Sequence, residues 1–418
     1  MNEDFFVELL KKELVPALGC TEPIAIAFVS AKAKEILGCF PDKVEIAVSG
    51  NVLKNVKSVK VPNTNGLIGV ESACVVGIVG GDATKNLEVL QSVTQENVDV
   101  SKNLLANGFC KVTHLKSNEP LHIVVSVFKG SDKVSVELKN GHTNIVKITK
   151  NDNIIYCSAK QETENCESRF LLKDVFDFAS TVKIEKVFDI INNQIEYNSA
   201  ICEEGIKNNY GQNIGKTLLS VYGNDFKVRA KALAAAGSDA RMSGCSLPVV
   251  INSGSGNQGI AVSIPVIEFA KHLNVGKEPL IRALIVSNLV AIHLKQGIGK
   301  LSAYCGVVSA SCGAGAGITY LYGGNFEQIS KTITNTIANI SGIVCDGAKG
   351  SCAAKIASSV DACILAHFMT VGENYFRAGD GIVKENIEDT IFGVSKIGKD
   401  AMKETDCEIL NIMFNEYK

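Results

Sequence analysis

The chain has 418 residues, of which 46% are hydrophobic and 21% are charged, and its formal net charge is −2. This balance is that of a soluble globular protein, and the length exceeds what one hydrophobic core usually holds, so two domains are expected. Such a small net charge gives no electrostatic attraction for nucleic acid or for an anionic membrane, and neither is expected as a partner.

The cellular compartment is predicted from the N-terminus, the apolar stretches and the cysteines. Met1–Phe6 lacks a basic region followed by an apolar one, so no signal peptide is expected. The long apolar stretch Leu280–Gly297 contains Arg282 and Lys295 and is interpreted as a buried helix. The 14 cysteines, without an export signal, favour a reducing cytoplasm over disulfide bonds.

Residues 1–40 are predicted to form helices that pack on the domain formed by residues 181–418. Apolar residues recur at helical spacing from Phe5 to Leu14, and a second helix is expected to end near Leu37. The link between them carries Cys20, with Thr21 expected to cap the second helix. The dipole at a helix N-terminus can lower the pKa of a cysteine, although a structural cysteine is the more common case.

Short alternating apolar runs, typical of β-strands, predominate in residues 41–180. Strands are predicted at Val44–Val48, Lys57–Pro62, Cys110–Leu115, Leu121–Phe128, Lys133–Leu138 and Asn144–Ile148. Helices are predicted at Val70–Ile78 and Val98–Asn107, and Asn140-Gly141 predicts a hairpin. His114, His122 and His142 lie at or beside these strands and are interpreted as surface or packed side chains.

Residues 181–418 are helical by periodicity almost throughout. Seven apolar stripes are predicted to be helices: Ile184–Ile195, Ile214–Tyr222, Val228–Ala236, Pro279–Gln296, Ile329–Ile340, Ala353–Thr370 and Ile387–Ile397. The predicted fold class is therefore α+β, with a mostly helical domain at residues 181–418 and a smaller α/β domain of short, largely antiparallel strands at residues 41–180.

One glycine-rich loop interrupts this helical pattern. Leu247–Ile251 is an apolar run, and Gly254–Gly259 then matches the G-x-G-x-x-G pattern of dinucleotide-binding folds. The surroundings do not match, because no acidic residue ends a second strand about 20 residues further on and no βαβ repeat is present. Pro265 is also expected to interrupt the helix that would follow.

Binding of a small carboxylate is a better use of this loop. Its backbone N–H groups are unobstructed by side chains, and it carries neutral hydrogen-bonding residues. The sequence Ser49-Gly-Asn51 repeats part of this theme, and an arginine nearby in the chain could pair with a carboxylate through two hydrogen bonds. For each loop an ordinary tight turn is the alternative. The predicted substrate-binding residues are Ser49, Asn51, Arg241, Ser255, Asn257 and Gln258.

Two stretches, Cys305–Cys312 and Cys345–Cys352, each hold two cysteines seven positions apart, with six residues between them that are mostly small. On an unbroken helix this step climbs roughly 10 Å, too far for two thiolates to hold one small cluster. Gly347 and Gly350 allow a turn in the second stretch, so its two cysteines can converge with Cys305 as a third ligand. Scattered thiolates suit an iron–sulfur cluster better than zinc, and buried structural cysteines are the alternative.

Taken together, these motifs resemble the L-cysteine desulfidase family, which is related to the oxygen-sensitive iron–sulfur L-serine dehydratases. The resemblance rests on Pro16–Pro23, Ser49–Asn51, Ser253–Gly259, Cys305 and Cys345–Cys352, and covers nearly the whole chain. It implies a 4Fe–4S cluster held by Cys305, Cys345 and Cys352, with one iron open to substrate, and conversion of L-cysteine to pyruvate, ammonia and hydrogen sulfide. It assigns no role to Cys312.

The chemistry of β-elimination explains such a site. An open-site iron is a Lewis acid that can bind the substrate carboxylate and the departing sulfur or oxygen together. A positioned base must remove the α-proton, and Cys20 is the predicted catalytic residue, as the base, as a resting ligand of that iron, or as both. Asp346 and Lys349 lie between two predicted ligands and are expected to tune the cluster or to move protons.

Three functions are compared. The first is a cluster-dependent L-cysteine lyase and the second is the same chemistry on L-serine, each with a small amino acid as substrate. The third is a non-enzymatic iron–sulfur sensor or electron carrier, which needs a fourth permanent ligand, for which Cys312 is the candidate. A homodimer is considered, although the sequence does not reveal the oligomeric state.

Overall fold

The structure is a computed structural model that describes residues 3–158, 170–299 and 301–414. Helices α1 (Glu3–Glu13) and α2 (Thr21–Leu37) open the chain as expected. Between them, the three-residue strand β1 (Pro16–Leu18) pairs with β8 (Pro248–Val250), which lies more than 200 residues later in the chain. This antiparallel pair, which the sequence did not predict, joins the link before Cys20 to the strand before the glycine-rich loop.

A six-stranded mixed sheet lies in the first half of the chain. Its strands are β2 (Lys43–Val48), β3 (Cys110–His114), β4 (His122–Lys129), β5 (Asp132–Lys139), β6 (Ile145–Lys150) and β7 (Asn153–Cys157). The order is β3-β2-β4-β5-β6-β7, and the β2–β3 pair alone is parallel. Asn140, with φ of 59°, forms the predicted turn between β5 and β6.

Alternation along the strands places one face of the sheet in the core. Val125 and Val127 of β4, and Val134 and Val136 of β5, are fully buried. Helix α2 packs on these two strands and on α4 (Val70–Gly80), while α3 (Gly50–Val56) follows β2 directly. Helix α5 is Gln95–Ala106. The segment Lys57–Pro62, predicted to be a strand, makes a single bridge from Lys60 to Ile68 and no strand, because the chain turns there.

Eleven helices form the rest of the described chain: α6 (Leu172–Thr181), α7 (Phe188–Lys207), α8 (Ile214–Tyr222), α9 (Phe226–Met242), α10 (Gly256–Leu273), α11 (Lys277–Ile298), α12 (Gly306–Leu321), α13 (Phe326–Ile340), α14 (Ser351–Val371), α15 (Ile387–Lys396) and α16 (Lys403–Phe414). The fold is therefore α+β with a mostly helical part, which confirms the predicted fold class. The boundaries at residues 40 and 180 stay predictions.

Helix α12 lies at the centre of the helical part and contacts α10, α11, α13 and α14. Its glycines and alanines allow these neighbours to approach closely. A Cβ atom on Gly313 would lie 2.2 Å from the carbonyl oxygen of Ser287 in α11, so no larger residue fits there. The small residues that follow Cys305 thus belong to a packed helix.

Helix α10 runs through Pro265, so the expected interruption at this residue is wrong.

Helices α11 and α14 are long and apolar enough to cross a membrane by length and composition alone, with mean hydropathies of 1.2 and 1.3. In the most apolar 18-residue segment of α11, 78% is buried inside the protein, as the sequence predicted. In the corresponding segment of α14, 56% is buried.

Replacing Gly77 by alanine is expected to lower the free energy of unfolding by about 1–3 kcal/mol, because the new methyl group overpacks a helix contact. A Cβ atom on Gly77 in α4 would lie 2.5 Å from the carbonyl oxygen of Ala27 in α2. A Cβ atom on Gly393 in α15 would have no atom within 4 Å, so Gly393→Ala is the matched control. Urea denaturation measures both, and equal stabilities of the two variants would contradict the argument.

Candidate active site

A single cavity of about 100 Å³ lies where the N-termini of five helices meet. Helix α2 contributes Cys20 and Glu22, α3 contributes Asn51, and α10 contributes Ser255 to Gln258. The N-termini of α12 and α14 contribute Cys305 and Cys352. Each helix N-terminus carries partial positive charge and unsatisfied N–H groups, so the arrangement favours anionic groups in the cavity.

The three predicted cluster ligands all line this cavity. Cys305 precedes α12, and Cys345 is held beside it by an antiparallel bridge in which Cys345 N donates to Ala303 O at 2.7 Å. Gly347 then turns the chain with φ of 97°, and a Cβ atom there would lie 2.3 Å from Lys54 O. Cys352 follows in the first turn of α14. The turn that the sequence predicted between the last two cysteines is therefore present.

The charges around these thiols favour a thiolate. The hydrogen bond from Cys305 lowers the pKa of Cys345, and the positive charges of Lys54 and Lys295 act in the same direction. The hydrogen bond to Cys345, together with burial, raises the pKa of Cys305. Burial raises the pKa of Cys352. Burial lowers the pKa of Lys295, whose side chain is 4% exposed and lines the cavity. The side chains of Lys54 and Lys295 thus favour negative charge at Cys345.

Cys20 is the N-cap residue of α2, where the sequence placed Thr21, and it lines the same cavity. Its thiol donates to Glu22 Oε2 at 3.2 Å. Burial and the charge of Glu22 raise the pKa of Cys20, although Arg241 acts to lower it. The expected lowering by the helix dipole is thus outweighed. Cys20 forms a small apolar cluster with Val59 and Met242, and Cys352 packs against this cluster, so the predicted base and a predicted ligand lie in the same part of the cavity.

Arg241 lies in the last turn of α9 and is 2% exposed, yet it lines the cavity. Within the described ranges, arginine ion pairs are made by Arg229 and Arg282, and the Nε atom of Arg241 has no hydrogen-bond partner. A Cβ atom on Gly256 would lie 2.3 Å from this Nε, so a glycine is required at the start of α10. A buried guanidinium without a partner is a strong site for a carboxylate.

The other predicted substrate-binding residues divide into two groups. Asn51, Ser255, Asn257 and Gln258 line the cavity. Ser255 caps α10 by accepting a hydrogen bond from Gln258 N at 3.4 Å. The structure does not bring Ser49 to the cavity lining: its hydroxyl donates to Pro120 O at 2.7 Å and accepts from His122 N. Ser49 therefore positions the start of α3.

Several residues of the cavity were not predicted from the sequence as site residues. They are Glu22, Lys54, Asn55, His142, Lys295 and Tyr304. His142, interpreted from the sequence as a surface or packed histidine, is 8% exposed and packs on Gly254, and its Nε2 lies 3.9 Å from Glu22 Oε1. In the sequence, His142 does not differ in pattern from His114 and His122. Its place in the folded protein alone shows that it lines the cavity.

Buried polar atoms that lack a hydrogen-bond partner among the described residues are concentrated in this lining. Of twelve such atoms among the described residues, seven belong to lining residues: Asn51 Oδ1, Asn55 Oδ1, His142 Nε2, Arg241 Nε, Asn257 Oδ1, Gln258 Oε1 and Tyr304 Oη. Buried polar groups in folded proteins are nearly always paired, so a cluster of unpaired ones indicates a binding site.

Cys312 lies elsewhere. It is fully buried on α12, near the thiol of Cys363, and it is not part of the lining. In the part of the chain that the structure describes, no group of three or more His, Cys, Asp or Glu side chains is arranged around a single metal ion.

Asp406 in α16 holds two sides of the cavity together. Its carboxylate pairs with Lys54 Nζ and accepts a hydrogen bond from Ala303 N at 3.0 Å. Lys54, whose side chain is 1% exposed, also donates to Cys345 O at 3.3 Å. The pair therefore fixes the backbone on both sides of the bridge that aligns Cys305 and Cys345.

Asp406→Asn is expected to lower the free energy of unfolding by about 3 kcal/mol, because it leaves the buried Lys54 charge without its partner. Urea denaturation measures the change. The double variant Lys54→Met/Asp406→Asn is expected to regain part of the loss, since no unpaired charge remains. Additive losses in the double variant would show that the ion pair is not coupled.

Known proteins match this chain over nearly its whole length, and one family matches most of it. A UPF0597 protein of Lachnoclostridium phytofermentans is 56% identical over 98% of this chain and 99% of its own length. UPF0597 proteins of Desulfitobacterium hafniense and Bacteroides thetaiotaomicron are 52% and 38% identical, over 98% and 97% of this chain and 96% of each relative. The sequence model described as serine dehydratase alpha chain matches residues 84–411, which include all three converging cysteines. The chain therefore belongs to the serine dehydratase alpha chain family.

Proposed function

We propose that this protein is an iron–sulfur-dependent lyase that degrades L-cysteine to pyruvate, ammonia and hydrogen sulfide. The observation that carries the proposal is that Cys305, Cys345 and Cys352 converge on one cavity. The same cavity is lined by Cys20 and by Arg241, whose buried Nε atom has no hydrogen-bond partner among the described residues. Membership of the serine dehydratase alpha chain family supports elimination from a β-substituted amino acid.

The residues present fit an iron–sulfur cluster. Three thiols converge from the ends of a turn and two helices, and sulfur donors of this kind are the usual ligands of such clusters. Lys54 and Lys295 supply positive charge that offsets the negative charge of thiolates. Cys305, Cys345 and Cys352 would hold a 4Fe–4S cluster. When bound, such a cluster with three protein ligands supplies a Lewis-acidic iron that stabilises charge on the leaving group.

The protein's own residues orient the amino acid and move its proton. Arg241 binds the α-carboxylate through paired hydrogen bonds, assisted by the N–H groups at the start of α10. Cys20, once ionised, accepts the α-proton on Sγ, and the charge of Arg241 favours the thiolate. The electron pair of the Cα–H bond forms the Cα–Cβ double bond while the Cβ–S bond breaks. The released aminoacrylate tautomerises to an imine, which water hydrolyses to pyruvate and ammonia.

L-serine is the second candidate substrate. The description of the matching family, serine dehydratase alpha chain, favours it, and the same groups would bind its carboxylate and remove its α-proton. The two substrates differ in the leaving group, sulfide in one case and hydroxide in the other. The electron-carrier alternative is disfavoured, because its candidate fourth ligand, Cys312, lies outside the cavity.

Anaerobic purification followed by assays on both amino acids tests the proposal. We expect iron and inorganic sulfide to copurify, a broad visible absorption that air bleaches, and release of sulfide and pyruvate in equal amounts from L-cysteine at a higher rate than pyruvate from L-serine. A reversed preference would replace L-cysteine by L-serine. Absence of pyruvate from both substrates, in protein that carries a cluster, would refute the lyase.

A further inference from the structure

The cavity lining contains two buried side chains of opposite charge, Glu22 and Arg241. Glu22 and Arg241 are 5% and 2% exposed, both line the cavity, and they do not pair with each other. In the described part of the chain, the basic side chain within ion-pair distance of Glu22 is that of His142, at 3.9 Å. A buried charge without a full partner is costly, so a ligand that brings one charge of each sign would satisfy both residues.

We infer that Glu22, together with Asn51 and Asn55, binds the α-ammonium group of an amino acid whose carboxylate lies on Arg241. The inference rests on the proposed function and adds the residues that recognise the amino group. The cavity would therefore select zwitterionic α-amino acids over carboxylic acids and over amines.

The hydrogen bonds of Glu22 hold its carboxylate in place for this role. Oε2 accepts from Cys20 Sγ at 3.2 Å and from Thr21 Oγ1 at 3.1 Å, and Oε1 accepts from Asn55 Nδ2 at 3.0 Å. These three donors are neutral, so they orient the carboxylate without cancelling its charge. Burial acts to raise the pKa of Glu22, but His142 and the Cys20 hydrogen bond outweigh it and lower the pKa to about 2.

The number of acceptors matches an ammonium group. Asn51 and Asn55 lie one turn apart on α3 and so share a face. The Oδ1 atoms of both are buried and have no donor among the described residues. With the carboxylate of Glu22 they make three acceptors, and an ammonium group has three N–H donors. Arg241 Nε, which belongs to the same cavity lining, is a buried donor that lacks an acceptor among the described residues.

The arrangement also connects amino-group binding to Cys20. The charge of Glu22 opposes formation of a thiolate at Cys20, which lies two residues earlier on the same helix end. A bound ammonium would offset that charge. The amino group is therefore held beside the residue that is proposed to take the neighbouring α-proton.

Binding of three ligands that cannot undergo elimination tests the inference. L-alanine carries both charged groups, propionate carries only the carboxylate and ethylamine only the ammonium. Their dissociation constants are measured by ligand-observed NMR on the anaerobically purified protein. The wild type is expected to bind L-alanine more tightly than either of the other two.

Glu22→Gln, which keeps the shape and removes the charge, is expected to weaken L-alanine binding about 10- to 100-fold while leaving propionate binding within about twofold. Arg241→Met is expected to weaken L-alanine and propionate and to spare ethylamine. Glu71 is the matched control, since it is also the second residue of a helix, α4, but is exposed and outside the cavity, so Glu71→Gln should change nothing.

If Glu22→Gln still binds L-alanine in preference to propionate as the wild type does, the inference is wrong. That result would leave the lyase untouched, because pyruvate release from L-cysteine by the wild type is measured separately. Conversely, charge-selective binding without pyruvate release would refute the lyase and keep the amino-acid site. Circular dichroism of each variant confirms that the fold is retained.

Discussion

Cys345→Ser is expected to yield folded protein that retains little iron and has lost at least about 100-fold of its elimination activity. A serine hydroxyl is a weaker ligand than a thiolate at neutral pH, because its proton is held far more tightly. Cys345 is also the thiol on which the surrounding charges concentrate, since Cys305, Lys54 and Lys295 all lower its pKa. Its loss therefore removes a sulfur ligand and the negative charge that Lys54 and Lys295 favour at this position. Iron analysis and visible absorption under anaerobic conditions measure the change.

Cys312→Ser is the control for this experiment. Cys312 is a buried cysteine on α12 that does not line the cavity, so its variant should carry a cluster with unaltered absorption. Full iron content in the Cys345 variant would remove Cys345 from the ligand set. Loss of the cluster in the Cys312 variant, with the fold intact by circular dichroism, would instead restore the four-ligand electron carrier.

The periodicity of the sequence was sufficient for much of the fold. Helices such as α2, α8 and α13 and strands such as β2 and β4 appear where apolar residues recur with the helical or the strand period. Helix α12 was not predicted, because its stripe consists of Gly and Ala, which carry little hydrophobic signal. Their small size matters only once α11 is beside them. Pairing of β1 with β8 was also out of reach, since it joins residues far apart in the chain.

The candidate site shows the same division between local and long-range information. Cys345 and Cys352 could be placed together from the glycines between them, because the turn is a property of that segment. Arg241 and Asn51 were identified by residue type, and the cavity includes both. Lys54 and His142 could not be identified, because each reaches the cavity from an element that shows no unusual local pattern.

The helix ends explain why these distant residues meet. Five helices direct their N-termini at the cavity, and each N-terminal turn leaves N–H groups that need acceptors. Among the described lining residues, Glu22 carries the one carboxylate, whereas Lys54 and Arg241 carry positive charge. The resulting excess of positive potential is what an anionic cluster and a substrate carboxylate both require.

Cys20→Ala is expected to leave the cluster assembled and to reduce sulfide release from L-cysteine by about 10²- to 10⁴-fold, the usual contribution of a general base. Cys20 fits this role by position, because it lines the same cavity as Cys352 and is influenced by the charge of Arg241, which is proposed to hold the substrate carboxylate. Its raised pKa means that ionisation must accompany substrate binding. Because Cys20 is proposed to remove the α-proton, its loss should slow the chemical step. Turnover should therefore fall, while substrate binding stays the same.

Two further measurements distinguish a base from a structural cysteine. The residual activity of Cys20→Ala should show a larger isotope effect with α-deuterated L-cysteine than the wild type, because proton removal becomes fully rate-limiting, while L-alanine binds as before. Cys202→Ala is the matched control, since Cys202 is equally buried, at 1% exposure, but lies outside the cavity lining. Undiminished sulfide release by Cys20→Ala would exclude Cys20 as the base. An unchanged isotope effect with slow turnover would mean that Cys20 acts on another step, such as closure of the site around the substrate.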